Sequence, residues 1–220
     1  MMNGNTAKFG KRHFFTVAIT ILIFSVCDLL AASFFQDVLK SPFFFDTIFM
    51  TAALFLFGPV AALAEYLLFI SFTCVKLKIL IGKTDFVFLY TLSSFTIILV
   101  TWLFIRKKEN LKKGVNLTFL YILTASVLAG LSCSVVSGLI NWFAGRLFQK
   151  EDWYFNTFIF AFNGDEYMNF LFSAIIGRIP VTVLDRVITT FSGFGISKLY
   201  SKIMHGGGKE RRQDAGFDSV

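Results

Sequence analysis

Residues 178–202 read RIPVTVLDRVITTFSGFGISKLYSK, an apolar run that carries a carboxylate and a guanidinium side by side, Asp185 and Arg186. At ~1.5 Å rise per residue, about 20 residues of helix cross the core of a bilayer. An ionised side chain inside such a helix costs about 2.5–3.5 kcal/mol on insertion scales. Both groups must therefore face a protein interior or an opposite charge, not lipid. Pro180 suits the opening turn, where its missing N–H has no helical bond to lose. Lys198 and Lys202 are placed to reach phosphate headgroups at the far end. The chain that encloses this helix has to be a membrane bundle with a polar interior.

An earlier stretch, SPFFFDTIFMTAALFLFGP, repeats the pattern of a proline, a short apolar run and then an aspartate, with Pro42 and Asp46 in those places. Two such helices running the same way would set Asp46 and Asp185 at similar depth. The composition agrees with a membrane protein: 55% of residues are apolar and only 16% charged, against about 25% charged in soluble domains. Apolar runs predict six spans, near 14–35, 42–57, 60–75, 85–105, 115–140 and 179–200, with Gly58-Pro59 breaking the second from the third. The fold expected is an all-α integral membrane protein, a six-helix transmembrane bundle. Residues 1–203 form its single domain, and 204–220, which contain Gly206-Gly207-Gly208, form a disordered cytoplasmic tail. The first apolar run reads as a span and not as a cleavable signal.

Basic residues set the orientation. Lys8, Lys11 and Arg12, the 106–113 turn RKKENLKK, and the stretch from Lys198 to Arg212 outnumber the basic residues of the remaining loops. Both termini are then cytoplasmic, and the protein is a multi-pass protein of the cell membrane. Lys76, Lys78 and Lys83 in one outer loop run against this rule. The interval 141–177, split by Asn163-Gly164-Asp165-Glu166, reads as an outer re-entrant or interfacial lid, with an extra hairpin as the alternative. The net charge of +7 is explained by basic residues beside the spans, facing anionic headgroups, and does not indicate nucleic acid.

The only histidines, His13 and His205, flank the membrane region, which excludes a histidine-based site inside the bundle. Cys27, Cys74 and Cys133 lie in different runs and form neither a disulfide framework nor a metal pair. No phosphate-binding loop, nucleophile elbow or metal motif is present. The reading is of a protein that is not an enzyme and needs no cofactor or metal.

Candidate site residues are the intramembrane charges. Asp185, Arg178 and Asp46 could line a polar cavity for a small polar or zwitterionic solute. Arg178 and Asp185 are seven apart and share a helix face. Alternatively, Asp46 and Arg186 form a structural ion pair between spans. Glu65, in ALAEYLLF, and Asp28, in FSVCDLLAAS, are further intramembrane acids, for which helix packing is the competing explanation. Trp142, Trp153 and Tyr154 fit an interfacial belt, or could stack on a planar ligand. The fifth span carries Ala125, Ala129, Cys133 and Ser137 on one stripe and Ser126, Gly130, Ser134 and Gly138 on the next. Such small-residue faces serve close packing within the bundle or docking of another membrane subunit.

FFFDTIFMTAALFLFGPVAALAEYL resembles the second and third helices of substrate-binding S components of energy-coupling factor (ECF) transporters. IPVTVLDRVITTFSGFGISKLY resembles their last helix, with its opening proline, early acid and basic end. The resemblance implies a vitamin-type solute bound near the outer face by the later helices and the loop joining the first two, here 36–41, with Asp185 as the last-helix acid. It also implies a transmembrane coupling subunit and ATPase subunits as partners. That family often docks its coupling subunit through alanines four apart on the first helix, whereas here Ala18 is followed by Leu22. The function expected is a solute-binding subunit of an uptake transporter, with Asp185, Arg178, Asp46, Arg186, Trp153 and Glu65 as binding residues. The alternative is a sensory or scaffold module of the same fold that moves nothing. An intramembrane enzyme using Asp46 and Asp185 as an acid pair lacks a nucleophile or metal set.

Overall fold

The structure is a computed structural model, and it describes residues 4–41, 43–76, 89–106, 114–148, 172 and 175–213. Among these the regular secondary structure is all helical, with α1 (Gly4–Ser33), α2 (Ile48–Phe57), α3 (Pro59–Lys76), α4 (Thr91–Ile105), α5 (Val115–Phe148) and α6 (Ile179–Gln213). Within α1, α3, α5 and α6 lie stretches long and apolar enough to cross a membrane, namely Phe14–Ser33, Pro59–Lys76, Val115–Ile140 and Ile179–Met204. α2 and α4 are apolar but shorter. The chain is thus a multi-pass helical membrane protein.

The distribution of side chains supports this. Large apolar residues such as Phe14, Leu30, Val60 and Leu67 point outward, whereas Asp28, Glu65, Asp185, Arg186 and a set of threonines and serines are enclosed. In water such an arrangement would expose wide apolar patches. In lipid the outward face is solvated and the polar groups find partners inside.

α2 is the hub. It packs against α6, α3, α1 and α4, while α5 joins α4 to α6 on the far side. Met50, Thr51, Ala52, Ala53 and Leu54 are all buried, because α1, α3, α4 and α6 surround α2. Its 10 residues make it only about 15 Å long, half of a bilayer core. Gly58 ends it at φ 94, a left-handed conformation open to glycine, and Pro59 opens α3 where no N–H bond is lost.

Several helix boundaries differ from the sequence expectation. The second span was expected from 42, yet α2 starts at Ile48, and Phe43–Phe45 are non-helical. In this segment the Phe43 N–H donates to Ser41 Oγ and the Phe45 N–H to Asp185 Oδ1 of α6 instead of entering a helical ladder. The fifth span was expected to end near 140, but α5 continues to Phe148. α6 continues as helix to Gln213, through the glycine run. Trp153, Tyr154, Lys78, Lys83 and Asp85, with most of the 141–177 interval, lie outside the described residues.

Both small-residue stripes of α5 are used inside the bundle. Ala129 and Cys133 pack with Ile97 of α4, and the Ser137 and Ser93 hydroxyls meet at 3.0 Å. On the other stripe, a Cβ added to Gly130 would lie 2.8 Å from the Cα of Val183 in α6. These faces serve internal packing, and the docking alternative is overturned for them.

Candidate functional site

The site forms where the N-terminus of α2 meets the first turns of α6. These two helices run the same way, since Asp46 meets Arg186, Thr51 reaches the Thr189 carbonyl at 3.3 Å, and Phe55 stacks on Phe194. Close approach is made by Gly193, where an added Cβ would stand 2.8 Å from the Ile48 carbonyl oxygen and 3.0 Å from the Ala52 nitrogen. Only a glycine lets the two backbones come this near.

Arg186 is the centre of the cluster and is 3% exposed. Its Nη2 lies 2.9 Å from Asp185 Oδ2 and 3.2 Å from Asp46 Oδ1. Its Nη1 donates to Asp46 Oδ1 at 3.2 Å and to the Thr47 hydroxyl. Although Asp185 and Arg186 leave the helix at different angles, the long guanidinium stem folds back and brings them together. Asp185 is fully enclosed, whereas the Asp46 side chain keeps 18% exposure. Among the described residues Arg186 Nε has no hydrogen-bond partner, and Asp185 Oδ2 has its ion contact without hydrogen-bond alignment.

The segment before α2 closes over this cluster. Phe45 adopts φ 48, a strained conformation for a bulky residue, and its N–H donates to Asp185 Oδ1 at 3.2 Å. Phe45 also stacks on Phe35 (ring centroids 4.3 Å apart) and lies 5.7 Å from the Phe43 ring. An aromatic wall therefore lies beside the charged cluster.

Asp28 of α1 supplies what α2 lacks at its start. The Thr47 hydroxyl accepts from Arg186 and makes no cap bond to its own helix. Asp28 does this instead: Oδ1 accepts the Phe49 N–H at 3.0 Å and Oδ2 the Met50 N–H at 2.9 Å. These are the second and third residues of the helix, the amides that an N-cap side chain normally takes. A carboxylate there is further stabilised by the helix dipole. Sequence reading named Asp28 only as an intramembrane acid. Its partner amides were hidden because α2 was expected to start six residues earlier. Thr47 and Phe45 had no signal of their own.

Of the candidates from the sequence, Asp46, Asp185 and Arg186 are brought together. Arg178 lies over the Tyr90 ring at 5.3 Å, about two turns before Asp185 on α6. Glu65 is fully buried on α3 beside Asp28, on the α1 side of the α2 N-terminus. Trp153 is outside the described residues. Among the described residues no group of three or more His, Cys, Asp or Glu side chains could hold a metal ion.

Comparison with family models, curated proteins and solved structures finds no match for this chain. What the fold defines by itself is the class: a multi-pass helical membrane protein with a buried charged layer around a half-length central helix.

Proposed function

We propose that this protein is a membrane-embedded solute-binding subunit of an ECF-type uptake transporter. It spans the cytoplasmic membrane six times with both termini inside, and binds a vitamin-like, planar or zwitterionic solute near the outer face. A transmembrane coupling subunit and ATPase subunits supply the energy, and this chain carries out no chemistry of its own. The observation that carries the reading is the cluster beneath the segment joining α1 and α2. Among the described residues Arg186 Nε stands there as a buried donor without a hydrogen-bond partner, beside the Asp185 carboxylate that is held by ion contact. Buried polar atoms without partners are few in proteins and call for a reason. The partly exposed Asp46 gives an approach from one side, and Phe35, Phe43 and Phe45 offer rings for a planar solute.

A second reading is favoured by the enclosure of Asp185 and Arg186, which pair with each other and with Asp46. In it the cluster is a structural lock, and the chain is an S-component-like scaffold or sensory module without transport. The test is binding of a broad vitamin panel to purified protein, wild type beside Asp46→Asn. The transport reading expects one solute to bind wild type and to weaken at least tenfold with Asp46→Asn. No binding across the panel refutes it. Copurification from native membranes gives a further check, with ATPase subunits expected for a transporter and a signalling partner for the alternative.

A further inference from the structure

Glu65 has no role in the Arg186 cluster, yet it is the most demanding group in the bundle. Its carboxyl is fully enclosed, and among the described residues neither oxygen has a hydrogen-bond partner. The charged groups it faces are Asp28 from α1 and, further off, Asp46 before α2, both acidic. α2 (IFMTAALFLF) and α4 (TLSSFTIILVTWLFI) bring no ionisable side chain. On α3 itself, Tyr66 is next in sequence, and Lys76 is about 16 Å further along, where it donates to Ser33 at 2.9 Å. Arg186 is engaged by Asp46, Asp185 and Thr47.

Asp28 is committed as an acceptor, because both of its oxygens hold amides of α2. Each oxygen keeps a second lone pair. Ser25 ties the two helices at the same level, its hydroxyl donating to the Glu65 carbonyl at 3.2 Å. Among the described residues no cation stands beside these two buried carboxyls, and two ionised groups there would repel each other on top of their separate desolvation costs. One proton removes that repulsion and turns Glu65 into a donor toward Asp28.

We propose that Asp28 and Glu65 form a one-proton binding site, with the proton resident on Glu65 and shared toward Asp28, and that its release to water loosens the seam joining α1, α3 and the start of α2. The site would let protonation act on the α2 N-terminus, whose other side carries Asp46 and Thr47.

The test is infrared spectroscopy of the purified protein at neutral pH, with thermal unfolding over a pH series. Wild type is expected to show the carbonyl stretch of a protonated carboxyl, downshifted in deuterium oxide. Glu65→Gln, an isosteric neutral mimic, is expected to fold and to lose that band. Wild type is expected to lose stability as alkaline pH removes the proton, and Glu65→Gln to lose less. Should Glu65→Gln not accumulate, Asp28→Asn is expected to shift the same band. Absence of the band in wild type, its full persistence in Glu65→Gln, or coincident pH profiles would overturn the proposal. So would stabilisation by sodium over potassium at constant ionic strength that Glu65→Gln abolishes, since a metal ion would then fill the site.

Discussion

Arg186→Met is the sharpest probe of the charged layer. Wild-type Arg186 lies 2.9 Å from one carboxylate and 3.2 Å from another, and is itself enclosed. Methionine fills much of the same volume but leaves Asp46 and Asp185 facing each other without a cation, one of them fully buried. Breaking a buried ion pair by removing one partner costs about 3–5 kcal/mol. For a chain of this size a kilocalorie corresponds to about 2–4 °C, so the midpoint should fall on the order of 10 °C. The triple variant Asp46→Asn, Asp185→Asn, Arg186→Met removes all three charges together. It should recover most of that loss, because the desolvation of the ions goes with their attraction. The assay is thermal unfolding in detergent, followed by size-exclusion chromatography of the surviving monomer. An Arg186→Met midpoint within ~2 °C of wild type, or a triple variant as unstable as the single one, would refute the account of this cluster as an enclosed ion network.

Three further outcomes follow from the packing. Gly193→Ala should cost about 1–3 kcal/mol, because the new methyl meets backbone atoms of Ile48 and Ala52 that cannot turn aside. Gly195→Ala, two residues on in open space, should be neutral or gain up to about 1 kcal/mol. Equal effects in the two unfolding curves would contradict the close crossing of α2 and α6. Asp28→Ala should cost about 1–3 kcal/mol for each amide it strands, and Asp28→Asn less, since its side-chain carbonyl can still accept; a milder Ala than Asn variant in the same assay would contradict the capping role. Ser93→Ala and Ser137→Ala should couple by about 0.5–1.5 kcal/mol in a double-mutant cycle, and strict additivity would mean the two hydroxyls do not interact.

Much of the architecture was legible because it follows from local patterns. Gly58-Pro59 stops one helix and starts the next for reasons contained in two residues. Small residues four apart on α5 mark a face that must lie close to a neighbour. The charges at Asp185 and Arg186 had to be sheltered wherever the helix went. What local pattern could not show is which neighbour shelters them. Arg186 answers to Asp46 and Thr47 some 140 residues away, and no periodicity carries that distance. The start of α2 was misplaced for the same reason. Pro42 looks like a helix opening, but in the segment that follows the Phe45 amide is claimed by Asp185 of α6, and the first free amides of the helix, at Phe49 and Met50, are capped by Asp28 of α1.

The amino-acid order alone determined that the chain lives in a membrane, where its helices break, and that it hides charge in their midst. Those outcomes depend on hydrophobicity and backbone chemistry, which each residue carries with it. Tertiary packing alone decided that a half-length helix stands at the centre, with its exposed N–H groups capped from α1 and its approach guarded by an arginine from α6. Such pairings depend on where separate helices come to rest, and a lone pair or a proton has meaning only once its neighbour is in place.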